Sequence, residues 1–225
     1  MLKIIVTGAC GLIGSEVTKY LISRKNKVVS CDYKLGHNLD NETFVKEWFK
    51  KNKADYLVNL FAINDHVDKK RKMNNLFNIS LFSFCNILNT NLTSLFSVCR
   101  QFAINNPKSG IINFASTYGM VSPYPELYPK SAKHIGYCVS KAGVIQMSRY
   151  LAVHLAPNIR VNCIVPGGIL YHQGKDFVHK YSKKTPLGRM MNVQELNGIV
   201  ELLCSEKSSY ITGAVLNVDG GWAAW

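Results

Sequence analysis

Short apolar segments alternate with longer helical patterns along most of the chain. Six apolar runs predict strands, at residues 3–8, 27–32, 56–61, 110–116, 159–167 and 214–220. The spacing of apolar residues between them predicts helices at 12–24, 41–52, 92–105, 137–155 and 192–205. Strands that are apolar at nearly every position and separated by helices form parallel sheets covered on both faces. The pattern therefore predicts an α/β protein built on a doubly wound parallel sheet, which binds ligands beyond the carboxyl ends of its strands.

The composition agrees with one globular domain covering residues 1–225. Of these residues 47% are hydrophobic, and no internal repeat or low-complexity linker marks a second domain. The apolar pattern begins at Leu2, which leaves no room for a cleavable leader, and no run of about 18 apolar residues could span a membrane. The seven cysteines are scattered, without CxxC or Cys/His metal spacing. We therefore expect a reduced, cytoplasmic protein without a metal site.

The formal net charge of +13 raises the question of a nucleic-acid partner. The lysines are spread along the sequence, and the densest basic run is DKKRK at residues 68–72. No helix-turn-helix, zinc-finger or RNP-like pattern accompanies that run. We therefore expect a solvated basic loop and neither a nucleic-acid nor a membrane partner. Attraction of a phosphorylated or nucleotide-linked substrate is the functional alternative.

A glycine-rich turn follows the first strand, in the stretch TGACGLIG. Gly8, Gly11 and Gly14 let the backbone approach a pyrophosphate, while the next helix offers N–H groups and the positive end of its dipole. The second strand ends at Asp32, whose carboxylate can accept hydrogen bonds from both ribose hydroxyls and would repel a 2′-phosphate. The sequence therefore predicts a dinucleotide site that favours NAD over NADP, with Lys34 as the residue that could favour NADP. The structural alternative makes Asp32 a plain strand-end turn residue.

A tyrosine stands four residues before a lysine twice, as Tyr137 with Lys141 and as Tyr171 with Lys175. Chance alone gives about one such pair in a chain this rich in both residues, so the context must decide. The first pair opens the apolar pattern at 137–155, which would hold both side chains on one side of a helix. The second pair lies in a polar stretch without helical periodicity. Tyr137 and Lys141 are therefore the candidate proton-transfer pair.

With these features placed, the chain resembles the short-chain dehydrogenase/reductase family almost from end to end. Five further stretches carry the resemblance: NLTSLF (91–96), INFAS (112–116), IRVNCIVPGGI (159–169), PLGRM (186–190) and SYITGAVLNVDGG (209–221). The resemblance implies a Rossmann-like fold and an enzyme that interconverts a secondary alcohol and a ketone by hydride transfer with NAD(H). A weaker resemblance to members associated with flagellin and cell-surface sugar modification implies a sugar-like or nucleotide-linked substrate.

The catalytic Ser, Tyr, Lys and Asn of that family correspond here to Ser116, Tyr137, Lys141 and Asn91. Tyr137 would exchange a proton with the substrate oxygen, which Ser116 would bind. An ammonium about 4 Å from the phenol could bring its pKa near neutrality, and Lys141 would also hold the nicotinamide ribose. Asn91 would keep a water near Lys141 as a proton relay. The structural alternatives are a local helix cap for Asn91, a strand-end hydroxyl for Ser116 and packing for Tyr137.

We expect cofactor contacts from residues near the carboxyl ends of the strands. They are Gly8, Gly11, Leu12, Ile13, Gly14, Asp32, Asn38, Leu39, Asn59, Tyr137, Lys141, Pro166, Gly167 and Ile169. Seven residues separate Asp32 from the helical pattern that begins at Asp40, so the helix and much of the strand usually found there should be missing. That deletion would bring Asn38 and Leu39 near the adenine.

Two segments are expected to surround the substrate, at about 117–136 and 170–190. The first contains Tyr118, Tyr124 and Tyr128, whose rings could stack on a sugar, while a surface excursion packed on itself is the structural alternative. The helical patterns at 92–102 and 137–155 are apolar on more than one face, so each should be buried on a second side. Family members pair these helices across a two-fold axis, so the resemblance implies a homodimer or homotetramer.

Three other functions remain open from the sequence. A nucleotide-sugar epimerase or dehydratase would use bound NAD only transiently, and GxxGxxG resembles that branch, although the chain lacks room for its C-terminal substrate domain. A non-catalytic NAD-binding regulatory protein would have no need to keep Ser116, Tyr137, Lys141 and Asn91 together. A nucleic-acid binder would show salt-dependent association with duplex DNA or RNA.

Overall fold

The fold was analysed in a computed structural model that describes residues 1–64, 76–129 and 131–225. Its helices and strands, in chain order, are β1 (Lys3–Thr7), α1 (Leu12–Ser23), β2 (Lys27–Cys31), α2 (Glu42–Lys51), β3 (Tyr56–Asn59), α3 (Leu81–Leu88), α4 (Leu95–Asn105), β4 (Ser109–Phe114), α5 (Ile135–Leu155), β5 (Ile159–Pro166), α6 (Lys175–Lys184), α7 (Asn197–Leu203) and β6 (Val215–Val218). The basic run predicted to be a solvated loop at 68–72 lies outside the described residues.

The six strands form one parallel sheet in the order β2-β1-β3-β4-β5-β6. The chain moves from β1 to one neighbour, β2, and then returns to place β3 on the other side of β1. The strand order therefore reverses between β1 and β3, and ligands of doubly wound sheets bind in the crevice at such a point. The α/β fold class predicted from the sequence is confirmed.

Two hydrophobic clusters cover the two faces of the sheet, as the near-continuous apolar strands predicted. One cluster packs the sheet against α2, α4 and α5 and includes Phe49 and Phe102, whose ring centroids are 6.0 Å apart. The other packs it against α1 and α7 and includes Val17 and Leu203. Burying side chains of this kind contributes roughly 1.5–3 kcal/mol each, so most of the stability comes from these two layers.

The chain between β2 and α2 is short, as the sequence predicted. After β2 it makes a single 3₁₀ turn at Tyr33–Leu35 and then reaches Asn41, whose side chain accepts a hydrogen bond from the backbone N–H of Phe44 and caps α2. No strand or α-helix lies between Cys31 and Glu42, all of which the structure describes. This leaves β2 as the edge strand next to β1.

Two helices were not predicted. Helix α3 is an apolar run of eight residues, too short for its periodicity to show. Helix α6 has the sequence KDFVHKYSKK and buries only Tyr181, so it lacks the apolar stripe on which the prediction depended. The helix predicted at 192–205 is a 3₁₀ turn at Val193–Leu196 that continues into α7.

Candidate active site

The glycine turn between β1 and α1 is packed too tightly for side chains. Gly8 has a φ of +66°, and a Cβ there would lie 2.5 Å from the backbone nitrogen of Phe61, in the segment after β3. A Cβ on Gly14 would lie 2.0 Å from the carbonyl oxygen of Gly8. Gly11 donates its N–H to the same carbonyl at 3.0 Å and directly precedes α1. The turn therefore presents bare backbone at the switch point.

Helix α1 begins with two of the residues expected to bind the cofactor. N–H groups in the first turn of a helix have no intrahelical acceptor and favour an anion. The side chain of Leu12 is partly exposed, while Ile13 packs against the core cluster on the α1 face. The two residues can therefore offer backbone donors while their side chains stay apolar.

Asp32 joins the glycine turn to the segment after β2. One carboxylate oxygen accepts the backbone N–H of Cys10 at 2.9 Å, and the other accepts that of Lys34 at 2.8 Å. Asp32 therefore does act as a turn residue at the end of β2, which was the structural alternative considered from the sequence. Each carboxylate oxygen has two lone pairs, so both can still accept a second hydrogen bond. The buried position beside the turn is where a carboxylate could meet a ribose bound over Gly8 to Gly14.

The two residues expected near the adenine differ in exposure. Asn38 is exposed, and its side-chain oxygen accepts the backbone N–H of Asp40 at 3.0 Å. Leu39 is only 7% exposed and packs within the core cluster on the α2 face. The side chain of Leu39 thus belongs mainly to the core, because the shortened connection draws this segment back against the sheet. Its contact with the adenine stays a prediction.

Asn59 lies at the end of β3, but its side chain is committed to the interior. Its amide nitrogen donates to the side-chain oxygen of Asn113 at 2.9 Å, and its oxygen accepts from the hydroxyl of Thr7 at 2.9 Å. The amide of Asn113 in turn donates to the Ser148 hydroxyl at 3.0 Å. This buried network connects three strands to α5, so Asn59 could contact a cofactor only through its backbone.

Helix α5 places Tyr137 and Lys141 next to the end of β4. Both side chains are buried, and Ser116, the second residue after β4, lies close enough to the phenol of Tyr137 to lower its pKa. The Lys141 ammonium donates to the carbonyl of Phe114 at 2.8 Å and lies 5.8 Å from the centroid of the Tyr137 ring. The Ser116 hydroxyl also accepts the backbone N–H of Tyr118 at 3.2 Å. The structure thus brings Ser116, Tyr137 and Lys141 together.

The ionisation of this group differs from the sequence expectation. Burial raises the pKa of Tyr137 to about 12, and the neighbouring Ser116 hydroxyl partly offsets this rise. Burial also lowers the pKa of Lys141 to about 8. The expected phenol pKa near neutrality is therefore wrong for the protein without a bound ligand. Loss of hydration penalises both charged forms, and the ammonium is hydrogen-bonded to a backbone carbonyl rather than to the phenol oxygen.

Asn91 lies in a π-helical segment, Asn89–Ser94, between α3 and α4. Its side-chain oxygen accepts the backbone N–H of Ile63 at 2.8 Å, and its nitrogen donates to the carbonyl of Ile63 at 3.0 Å. The same nitrogen donates to the hydroxyl of Ser140 at 3.0 Å, on α5 beside Lys141. The alternative of a local helix cap is therefore excluded, because the partners belong to distant segments. Single π-turns inside α-helices frequently mark functional sites.

The segment after β5 is fixed by its neighbours. Gly167 donates its N–H to the backbone carbonyl of Val218 at 2.9 Å. A Cβ on Gly167 would lie 2.9 Å from the Cα of Asp219. Pro166 ends β5 in a buried position, and Ile169 forms an isolated parallel bridge with Met191. The backbone from Pro166 to Ile169 is therefore held rigidly at the carboxyl end of β5, next to the end of β4.

The second Tyr-Lys pair has no comparable geometry. Tyr171 is 58% exposed and precedes α6, whereas Lys175 is the first residue of that helix. The two side chains therefore do not share a helix face, as the sequence analysis predicted.

The loops at 117–136 and 170–190 pack on each other around a third, small cluster that includes Tyr181 and Trp222. These two rings stack with centroids 4.1 Å apart, and the Tyr181 hydroxyl accepts the N–H of Gly168 at 2.5 Å. Tyr118 and Tyr128 are joined through their hydroxyls at 3.1 Å inside this region. Tyr118 and Tyr128 therefore pack within the loop region, whereas Tyr124 lines a surface cavity. The stacking of these rings on a sugar stays a prediction.

That cavity has a volume of about 230 Å³. It is lined by Val121, Ser122, Pro123, Tyr124, Pro125, Lys184, Trp222 and Trp225. The ammonium of Lys184 lies 4.7 Å from the ring centroid of Tyr124 and 5.5 Å from that of Trp222. The cavity therefore combines flat apolar faces with a positioned positive charge. Sequence analysis missed Lys184 and Trp222, because nothing in their local pattern connects them to the 117–136 loop.

Over residues 1–64, 76–129 and 131–225, no group of three or more His, Cys, Asp or Glu side chains could hold a metal ion. Nor does any helix in those ranges have the length and apolar character needed to cross a membrane. All seven cysteines are free thiols.

A protein-family model described as enoyl-(acyl carrier protein) reductase matches residues 13–223. Post-translational flagellin modification protein A of Campylobacter coli is 28% identical, and the match covers 97% of each chain. The 3-oxoacyl-[acyl-carrier-protein] reductase FabG of Chlamydia pneumoniae is 30% identical over 92% of this chain and 82% of its own length. Against four other relatives, the chain spans only 43–60% of the relative's length.

Among solved structures, a short chain dehydrogenase from Leptospira borgpetersenii, crystallised with bound NAD⁺, superimposes with a TM-score of 0.89. It is 32% identical in sequence, and the match covers 98% of this chain and 92% of that one.

Proposed function

Because this chain belongs to the short-chain dehydrogenase/reductase family, whose members are NAD(P)-dependent oxidoreductases, we propose that it transfers hydride between NAD(H) and a secondary alcohol or ketone of a sugar-like or nucleotide-linked substrate. The observation that carries the proposal is the meeting of Ser116, Tyr137 and Lys141 at the carboxyl end of β4, with Asn91 bound to α5 one residue before Lys141.

Nicotinamide, when bound, supplies or accepts the hydride. In the reducing direction the carbonyl oxygen of the substrate needs a proton, and Tyr137 is protonated at neutral pH because burial keeps its pKa at about 12. Ser116 holds that oxygen, and Lys141 stabilises the phenolate that remains. The Lys141 ammonium, with a pKa lowered to about 8, is well suited to pass a proton on to the phenolate. Asn91 fixes the neighbouring backbone and would hold the relay water.

The residues present fit a dinucleotide. A Cβ on Gly14 would lie 2.0 Å from Gly8, so the turn has the close backbone packing that a pyrophosphate site needs. Asp32 places a carboxylate beside the turn through its bond to Cys10, which favours a free ribose over a 2′-phosphate. We propose that Asn38 and the backbone from Pro166 to Ile169 complete the contacts. The NAD⁺ in the Leptospira structure supports this choice.

The substrate class is inferred from the cavity lined by Tyr124, Trp222 and Lys184. Flat aromatic faces suit a sugar ring, and an ammonium held over two rings suits a carboxylate or phosphate on that sugar. The net charge of +13 would favour the approach of an anionic substrate. The similarity to flagellin modification protein A points in the same direction.

A second candidate is reduction of a 3-oxoacyl thioester, which the similarity to FabG of Chlamydia pneumoniae favours. The same Ser116, Tyr137 and Lys141 would protonate that ketone. The substrate, not the catalytic group, distinguishes the two candidates.

We further propose that residues 1–225 act as one NAD-binding domain in the cytoplasm, with the loops at 117–136 and 170–190 surrounding the substrate. We also propose a homodimer or homotetramer. Helices α4 and α5 expose large apolar side chains, among them Ile104, Tyr150 and Val153. Such residues suit a face buried against a second copy.

The test is NADH absorbance with a panel of sugar phosphates, nucleotide sugars, free polyols and 3-oxoacyl thioesters. We expect net, stoichiometric oxidation or reduction with an anionic sugar compound, and a clear rise in KM for Lys184→Met with little change in kcat. Turnover of the thioester alone would establish the second candidate. Conversion of a nucleotide sugar without net NADH formation would establish an epimerase or dehydratase.

A further inference from the structure

The ammonium of Lys133 lies closer to the Tyr137 ring than that of Lys141 does. Its nitrogen is 4.5 Å from the ring centroid, against 5.8 Å for Lys141. Lys133 comes from the end of the 117–136 loop, two residues before α5 begins, and its side chain is half-buried. Two cations therefore lie beside one buried phenol.

Contacts with the segment after β3 hold Lys133 in this place. Its ammonium donates to the side-chain oxygen of Asn64. The residue before Asn64 is Ile63, whose backbone N–H and C=O are both bound by Asn91. Asn91 also binds Ser140, whose hydroxyl donates to the carbonyl of Tyr137 at 2.8 Å. Asn91 thus joins the segment after β3 to α5, and Lys133 binds the same segment at the next residue.

The start of α5 is fixed independently. The buried side chain of His134 accepts the N–H of Gly136 at 3.0 Å and makes a second hydrogen bond, with Ser83 of α3, at 3.0 Å. The backbone on both sides of Lys133 and Tyr137 is therefore anchored. A cation over an aromatic ring attracts the neutral ring weakly, and it attracts the ring much more once the phenol has lost its proton.

We propose that Lys133 is a positioning residue that supplies a second positive charge to Tyr137, beside that of Lys141. The inference rests on the proposed function, because it assumes that Tyr137 exchanges a proton. Without compensation, burial makes the phenolate costly, and the nearby thiol of Cys138 and phenol of Tyr128 add to that cost. The charge of Lys133 reaches the residue next to Tyr137, since it lowers the pKa of Cys138 against the effect of burial. The insert at 117–136 would then serve catalysis as well as substrate binding.

The test is a direct titration of Tyr137 in the whole protein with NAD⁺ present. Tyrosine carrying an isotope label at Cζ is incorporated, and the Tyr137 resonance is assigned by its loss in Tyr137→Phe. An opposite charge within about 4–6 Å lowers a phenol pKa by 1–3 units, and half-burial puts Lys133 at the lower end of that range. We expect Lys133→Met to raise the midpoint by about one unit, and Lys133→Arg to restore it. Lys108→Met is the control, because that exposed lysine lies before β4, at the opposite end of the strand from Ser116.

Equal midpoints in the wild type and in Lys133→Met would overturn the inference. So would a wild-type Tyr137 that does not ionise below the pH of alkaline unfolding with NAD⁺ bound, because the charge of Lys133 would then have failed to offset the burial that raises the phenol pKa. If Lys133→Met does not fold, Lys133→Gln keeps a hydrogen-bond donor for Asn64 and gives the same comparison. A Lys133-dependent midpoint without any NADH turnover would count against the proposed function alone. Turnover that requires Tyr137, with a midpoint independent of Lys133, would count against this inference alone.

Discussion

Replacing Gly14 by alanine should destabilise the folded protein, whereas the same replacement at Gly198 should stabilise it. Both glycines lie in the first turn or so of a helix, α1 and α7 respectively. Alanine improves helix propensity by up to about 1 kcal/mol at either position. The surroundings differ: the new Cβ would lie 2.0 Å from the Gly8 carbonyl oxygen at Gly14, and has nothing within 4 Å at Gly198.

The magnitude follows from that contact. Ordinary van der Waals contacts of a Cβ begin at 3.4 Å, so the Gly14 methyl is more than 1 Å too close to backbone that cannot rotate away. Overpacking of this kind costs about 1–3 kcal/mol, and rigid backbone puts the cost at the upper end. We expect Gly14→Ala to destabilise by about 2 kcal/mol and Gly198→Ala to stabilise by about 0.5–1 kcal/mol. The melting temperatures should then differ by roughly 5–10 °C in a chain of this size.

Urea unfolding measures both free energies, and calorimetric titration with NAD⁺ measures the consequence for binding. Because the backbone of Gly8 and Ala9 must move when Gly14 gains a methyl group, Gly14→Ala should also weaken NAD⁺ binding at least tenfold, while Gly198→Ala leaves it unchanged. Equal stability and equal NAD⁺ affinity in the two variants would refute the packing argument for the glycine turn.

Three further predictions concern charge and assembly. NAD(H) should raise the melting temperature more than NADP(H) at equal concentration, and a larger effect of NADP(H) would contradict the role of Asp32 and point to Lys34. In the folded protein burial lowers the pKa of Lys141 to about 8, from 10.5 in the unfolded chain. Below pH 8 the amine is charged in both the folded and the unfolded state, and its burial then destabilises the folded protein most. This destabilisation fades as the pH rises toward 10.5, because the buried amine is then neutral. The free energy of unfolding of Lys141→Met, relative to that of wild type, should therefore be about 2 kcal/mol more favourable at neutral pH than near pH 10. A difference that does not depend on pH would contradict the burial of a charged amine. Light scattering at micromolar concentration should give a dimer or tetramer, and Val153→Asp on the exposed apolar face of α5 should shift it toward monomer, whereas a monomeric wild type refutes the assembly.

Much of the fold was predictable because it depends on hydrophobic periodicity. All six strands lie within a residue or two of their predicted bounds, since strands of a parallel sheet covered on both faces are apolar at most positions. Helix α6 was missed for the opposite reason: it is a polar helix whose single buried side chain, Tyr181, contacts Trp222 from the end of the chain. No local pattern encodes that contact.

In the candidate site, too, the residues fixed by a local sequence pattern were predictable, and the properties that depend on distant contacts were not. Tyr137 and Lys141 could be selected because a helix fixes their spacing, and Gly8 and Gly14 because a tight turn requires them. The pKa of Tyr137 could not be predicted, since it depends on burial by segments distant in sequence. Lys133 carries no motif, and only the folding of the loop after β3 against α5 brings it to the ring.

The central claim is that Tyr137, not Tyr171, exchanges the proton with the substrate. The measurement is kcat for Tyr137→Phe and Tyr171→Phe with the compound that gives NADH turnover, together with the Kd for NAD⁺. Removing the Tyr137 hydroxyl keeps the buried ring but removes the acid–base group, so kcat should fall by about 10²–10⁴-fold while the Kd stays nearly unchanged. Tyr171→Phe alters an exposed side chain outside any helix and should leave the pH dependence of turnover as it is. Near-native turnover by Tyr137→Phe, with activity abolished in Tyr171→Phe, would contradict the account.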